Sequence, residues 1–400
     1  MRICGILCEY NPFHNGHAYH LAQARARSQA DAVVCVMSGS FTQRGLPALA
    51  DKWTRAHMAL ACGADVVVEL PALYAVRSAE HFARGGIALL AALGAQTLCF
   101  GAEVADLDAL REVACLLRQE PPAFARALRA GLDEGLSHAR ARAQAVQAVL
   151  PAVRGDLLTQ PNCALALAYL QAIDAQGGAL QPLAVPRVGA GYHDAADGPL
   201  ASATAIRAAV ARADMAAVAQ AMPEVAFTLL AQARREGRLH APDALDTALL
   251  ASLRAAAPED LCVLCDVVEG MEHRILRAAR EAGTRDALLR RIKSKRYPHA
   301  RLSRILCAAL LGMRQALADA YPMPPYVRVL GFRLQAAPLL KRWQDECALP
   351  CILRAADPRL AGHPVFSLEV LATDLWALGA QQPERRAARQ DYTTPPVILR

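Results

Sequence analysis

His14 and His17 stand three residues apart, with Gly16 between them, in the run GILCEYNPFHNGH at positions 5–17. An apolar stretch at 3–7 reads as a strand, and a helical pattern begins at once over 17–30. Two imidazoles therefore meet where a strand ends and a helix begins. The start of a helix presents unpaired N–H groups and a partial positive charge, which makes it an anion site. Gly16 lets a ligand approach the backbone closely, and the histidines add donors that can stabilise charge growing on a phosphate. The chemistry this arrangement suits is phosphate handling on a nucleotide. Zinc is the competing reading of the histidines. Zinc on a helix prefers an i, i+4 pair with a third ligand, whereas the spacing here is i, i+3.

The elements that must position these groups alternate. Apolar runs at 32–37 (AVVCVM), 64–70 (ADVVVEL) and 97–100 read as buried strands, and 183–185 as a fifth. Helical patterns at 52–62 and 78–93 separate the first of them, residues 105–150 read as helices, and another helix covers 162–175. Continuous apolar strands between helices indicate a parallel sheet covered on both faces. Such sheets bind ligands outside the carboxyl ends of their strands. Those ends carry residues 9–17, then Ser38-Gly39-Ser40, then Glu69 and Pro71, then Gly101 and Glu103. A Gly/Asp-rich stretch at 189–198 reads as a loop, either a mobile lid or a recognition loop, and Ser202 or Thr204 can cap the helix that follows it. Beyond residue 214 the strand signal largely disappears. The expectation is an α/β, Rossmann-like domain over 1–214 and a mostly helical domain over 215–400, with a loosely ordered polar tail after 380.

Four hundred residues are ample for two domains, and 54% hydrophobic with 20% charged residues suits a globular chain. The net charge of +7 is concentrated. Residues 271–310 hold eleven Lys and Arg against three acids, a local excess of +8, interleaved with Tyr297 and His299. That points to contact with a phosphate backbone. The twelve cysteines lie mostly in apolar settings, as small buried hydrophobes of a reducing compartment do. Cys262 and Cys265 form the one C-x-x-C, with aliphatic flanks and no partner pair at zinc-binding spacing. No signal segment or membrane span is expected, and the cytoplasm is the expected compartment.

Longer blocks carry a resemblance. GILCEYNPFHNGH (5–17), VMSGSFTQRGLPALADKWTRAHMAL (36–60), GADVVVELP (63–71), SAEHFARGG (78–86), FGAE (100–103), PNCALALAYL (161–170), GYHD (191–194), SATAIR (202–207), EGMEHR (269–274) and KSKRYPHARLSRIL (293–306) span most of the chain. The sequence resembles the bacterial tRNA(Met) cytidine acetate ligases, a branch of the HxGH nucleotidyltransferase-like superfamily. The resemblance implies an ATP-dependent ligase that makes acetyl-adenylate from acetate, releasing pyrophosphate. The acetyl group would then pass to N4 of the wobble cytidine of elongator tRNA(Met), releasing AMP. The mixed anhydride turns a poor acyl donor into a good one for a delocalised, weakly nucleophilic amine.

The resemblance also implies roles. Leu7, Cys8, Glu9, Tyr10, Asn11, Pro12, Phe13, His14, Asn15, Gly16, His17 and His20 match the family's ATP-binding loop. Gly101, Asn162 and Arg187 match further ATP contacts. His14 and His17 are the expected catalytic pair at the α-phosphate. Ser202, Thr204 and Arg207 resemble a second phosphate motif, and Lys293, Lys295, Arg296 and Arg301 are expected on the tRNA backbone. Mg2+ is expected with ATP, with no protein ligand set visible; oligomeric state is open. His57 and His81 read as core or surface histidines, Trp53 and Phe82 as packing residues and Glu9 also as a structural tie for the loop after the first strand, and Ser38 and Lys52 are open. Two other readings stand beside this one. The first is an adenylyltransferase of a small phosphorylated metabolite, which leaves the basic half unexplained. The second is a non-catalytic RNA-binding protein, which leaves the intact His14-x-Gly16-His17 motif unexplained.

Overall fold

The computed structural model of the chain describes residues 1–153, 157–187, 200–294 and 297–400. Strands β1 (Ile3–Cys8), β2 (Ala32–Ser38), β3 (Val66–Leu70), β4 (Thr97–Ala102) and β5 (Gln181–Pro186) form the expected parallel sheet. Their order is β5-β4-β1-β2-β3, so the chain winds outward in one direction from β1 and in the other from β4. Every residue of β2 is buried. Alternate side chains go to opposite faces, as a period of two requires. Val34, Val36, Val66 and Val68 enter one apolar cluster, and Val33, Cys35, Met37 and Val67 enter another.

Helices α1 (Asn15–Ser28) and α2 (Lys52–Ala61) cover the second cluster through Leu21, Ala24, Ala56 and Met58. Helix α3 (Ala79–Ala92) and helix α4 (Pro161–Ala175) cover the first. Helix α5 (Ala203–Ala211) follows β5, and its Ile206 and Ala209 join the second cluster. In the second half, α6 (Met271–Glu281), α7 (Arg285–Ile292) and α8 (His299–Leu311) pack Ile275, Leu288, Leu289, Ile292, Leu302 and Ile305 into a third cluster. Helix α9 (Pro364–Ala377) returns to the first cluster through Phe366 and Trp376.

The mostly helical second half also supplies strands that the sequence pattern missed. β6 (Val327–Arg333) runs antiparallel beside β3, and β7 (Cys351–Ile352) and β8 (Val397–Leu399) pair with β6. The sheet therefore extends across residue 214. β7 and β8 are two and three residues long, too short to show a period. The tail after 380 is likewise ordered. Its Asp391 is 1% exposed, held by Lys52 at 2.7 Å and by Arg328 at 2.5 Å, and both cations also hold Glu69, at 2.6 Å and 3.0 Å. Four buried charges thus join α2, β3, β6 and the C-terminal tail. This gives Lys52 a structural partner set and explains why a polar tail docks.

Candidate active site

The order reverses between β1 and β4, and the loops diverging from the carboxyl ends of these strands leave a crevice. A cavity of about 370 Å³ opens there. Its wall is built from the end of β1 and the loop to α1, Gly101 in β4, the start of α4, the end of β5 and the start of α5.

His14 is the N-cap of α1, with extended backbone at φ −141° and ψ 174°. Its backbone N–H donates to His17 Nδ1 at 3.3 Å, and its carbonyl accepts from His17 N–H at 2.8 Å. The two rings stack with centroids 3.6 Å apart. Gly16 permits this: a Cβ there would lie 3.0 Å from His14 Cε1. Tyr10 packs edge-on against His17 at 4.9 Å, and Phe13 is buried beneath. Burial, then the Arg187 guanidinium, push His14 down to about 3. The same two causes push His20 down to about 4. Burial, then His14, Arg187 and His20, hold His17 well below the ordinary range. Burial thus favours the neutral form of all three rings at neutral pH. Among the described residues His14 Nδ1 is buried without a hydrogen-bond partner. A buried polar nitrogen is costly to leave unpaired, and a phosphate oxygen would satisfy it in the tautomer that carries the proton on Nδ1.

Around this core, Asn162 Nδ2 donates to Glu103 Oε1 at 2.5 Å, and Cys163 N–H donates to Glu103 Oε2 at 3.0 Å, so Glu103 caps α4. Arg187 Nη1 reaches Asn162 Oδ1 at 3.4 Å. Gly101 faces the same space, with Arg187 Cγ 3.4 Å from where its Cβ would stand. Ser202 caps α5 by accepting from Ala205 N–H at 3.2 Å. Arg207 donates to the Asn11 carbonyl at 2.7 Å and to Thr204 Oγ1 at 3.0 Å, so it braces the loop after β1. Asn11 Oδ1 in turn accepts from Leu49 N–H at 2.7 Å.

Most of the expected nucleotide-site residues thus converge: Leu7, Cys8, Glu9, Tyr10, Asn11, His14, Gly16, His17, His20, Gly101, Asn162, Arg187, Ser202 and Arg207 line one cavity. Pro12, Phe13, Asn15 and Thr204 lie outside the lining; Phe13 is core, and Asn15 Nδ2 donates to the Gln220 carbonyl at 2.9 Å. Gln43, Arg44, Phe82, Phe100 and Tyr169 also line it, unanticipated as site residues. Gln43 and Arg44 follow the Ser38-Gly39-Ser40 break at the end of β2, and that break was the available signal. In the basic region, Arg274, Arg277 and Arg280 are exposed along α6, and Arg290, Arg291 and Lys293 along α7 and its end. Arg301 lies over the Tyr297 ring at 5.3 Å. Lys295, Arg296 and residues 188–199 lie outside the described residues. Cys262 is exposed and Cys265 buried, and the described residues hold no group of three or more His, Cys, Asp or Glu able to bind a metal. Among them no helix is long and apolar enough to cross a membrane.

The family described as HIGH Nucleotidyl Transferase matches residues 1–391. A tRNA(Met) cytidine acetate ligase of Syntrophomonas wolfei is 37% identical over 99% of both chains. The chain belongs to this ligase family of HIGH nucleotidyl transferases. A member from Lysinibacillus sphaericus is 34% identical over 99% of this chain and all of its own length. Among solved structures, apo TmcAL of Thermotoga maritima superposes with TM-score 0.92 at 30% identity, covering all of both chains. The same protein bound with alpha-thio ATP gives 0.91 at 29% identity, with the same coverage.

Proposed function

We propose that the chain is an ATP-dependent ligase that activates acetate as acetyl-adenylate and acetylates N4 of the wobble cytidine of elongator tRNA(Met). The single observation that carries this reading is the stacked, buried His14–His17 pair, with a nitrogen that has no partner among the described residues, at a helix N-terminus in the sheet's switch crevice. It suits an anion, and the family membership and the nucleotide-bound relative support ATP as that anion.

In the first step an acetate oxygen bonds to the α-phosphorus and the bond to pyrophosphate breaks. His14 and His17 supply donors where negative charge accumulates, while Arg187 and Asn162 position the nucleotide. In the second step the cytidine N4 attacks the acetyl carbon and AMP leaves. Neither step needs a serine or cysteine nucleophile on the enzyme. Magnesium would arrive on the triphosphate, because the described residues offer it no dedicated ligand cluster. The exposed cations of α6 and α7, with Lys293, Lys295, Arg296 and Arg301, would hold the tRNA backbone. Residues 1–214 would carry the nucleotide chemistry and residues 215–400 the tRNA.

The test is incubation of the full chain with ATP, magnesium, labelled acetate and unmodified elongator tRNA(Met), beside His17→Ala. Label at the wobble cytidine, lost in the variant, is the expected result. Acetate-dependent exchange of pyrophosphate into ATP without label in the tRNA would keep adenylation and overturn the acceptor. The absence of both signals would overturn the reading as a whole.

A further inference from the structure

Two sets of side chains share the cavity. One is the His14, His17, His20 and Arg187 group already described. The other centres on Glu9, the first residue after β1. Glu9 Oε1 accepts from Gln43 N–H at 2.6 Å, which fixes the carboxylate. Among the described residues no hydrogen bond takes Oε2. The charged groups facing it are Arg44 on the loop after β2, Arg55 on α2 and Arg207 on α5, and the Tyr169 hydroxyl on α4 also senses it. Arg55 additionally donates to the Glu9 carbonyl at 2.7 Å.

The loop that holds Glu9 also leads to the basic half. The Arg44 carbonyl accepts from Ser303 Oγ on α8, and the Gly45 carbonyl accepts from Arg285 on α7 at 3.2 Å. Gly45 has φ +68°, and a Cβ there would lie 2.7 Å from the Ser303 carbonyl oxygen, so only glycine fits this junction. The cavity wall at Gln43 and Arg44 therefore abuts the helices that carry the basic residues. Glu9, Gln43 and Arg44 thus line the part of the cavity wall whose backbone is tied to those helices, in the same cavity as the histidines and Arg187.

We propose that Glu9 is the proton acceptor of the acyl-transfer step, an inference that rests on the ligase reading above. As the exocyclic nitrogen of the cytidine bonds to the acetyl carbon, the bond from that carbon to the AMP oxygen breaks. AMP leaves with the electron pair, and one amine proton passes to the Glu9 carboxylate. Burial raises the carboxyl above its usual range, while the Gln43 N–H and the three guanidiniums oppose the rise. A raised carboxylate is a stronger base than an exposed one. The three cations also let it stand beside an anionic nucleotide.

The test compares the wild-type chain with Glu9→Gln and Glu9→Asp in two assays. One measures acetyl transfer to elongator tRNA(Met). The other measures acetohydroxamate formed when hydroxylamine, which needs no base, intercepts the activated acetate. In Glu9→Gln, transfer to tRNA falls about 100-fold, the scale of a lost general base, and hydroxamate formation falls by far less. The pH dependence of transfer flattens at the same time, and Glu9→Asp recovers part of the transfer. An equal loss in both assays would overturn the proposal, because Glu9 would then serve nucleotide binding or folding. Transfer by Glu9→Gln within threefold of wild type would also overturn it. Failure of the ligase reading shows differently: the wild-type chain itself would give neither product.

Discussion

Nucleotide binding should carry a proton with it. Without a phosphate beside them, burial lowers His14 to about 3 and His20 to about 4. A phosphate charge about 4 Å from an imidazole, at an effective dielectric near 20, is worth about 4 kcal/mol. That is about a thousandfold in proton affinity, enough to carry both rings into the range where a free histidine titrates. The rings cannot all charge. His14 and His17 are stacked at 3.6 Å, and His14, Arg187 and His20 already disfavour charge on His17. At pH 6 the sum is therefore about one proton taken up per ATP. Because the proton affinity is raised in the bound state, binding tightens as pH falls, by up to about tenfold per pH unit between pH 7 and 6. Above the bound-state titration the dependence disappears. Calorimetry of ATP binding at pH 6 in two buffers of different ionisation enthalpy counts the protons. The double variant His14→Gln, His20→Gln serves as the reference, since subtracting it cancels titration of the nucleotide's own phosphates. Equal proton counts for the wild type and the double variant would refute the reasoning, because neither ring would then face the phosphates.

Replacing Lys52 by Met leaves Glu69 and Asp391 buried with only Arg328 between them. Urea unfolding should show a loss of about 3–5 kcal/mol, and an unchanged midpoint would show that the network contributes nothing net. On α6, replacing Arg274 and Arg277 by Gln should reduce the slope of log affinity for tRNA against log salt by about one per residue. Filter binding over a salt series measures it, and an unaltered slope would place the tRNA elsewhere.

Much of the nucleotide site was legible in the sequence because it is local. Residues 9–17 bring an apolar strand end, a glycine and two histidines into one turn, and a strand-to-helix turn leaves few places for those side chains to go. Apolar runs likewise specified the parallel strands, most clearly β2 and β3, which are buried along their whole length and so read as continuous hydrophobic stretches. What lay beyond the sequence pattern depends on contacts between distant segments. β6 finds β3 some 260 residues earlier, and Asp391 is buried only because Lys52 and Arg328 meet it there. No local period records such a partner. The neutrality of three histidines is also a tertiary fact, because a ring's charge is set by burial and by Arg187 from another strand end. So is the setting of Glu9: the sequence places it one residue past β1, but only the packing of the loop after β2 against it and against α8 fixes its carboxylate in the cavity wall next to the basic helices. Local order determines which groups a turn can offer; packing decides their charge and their neighbours.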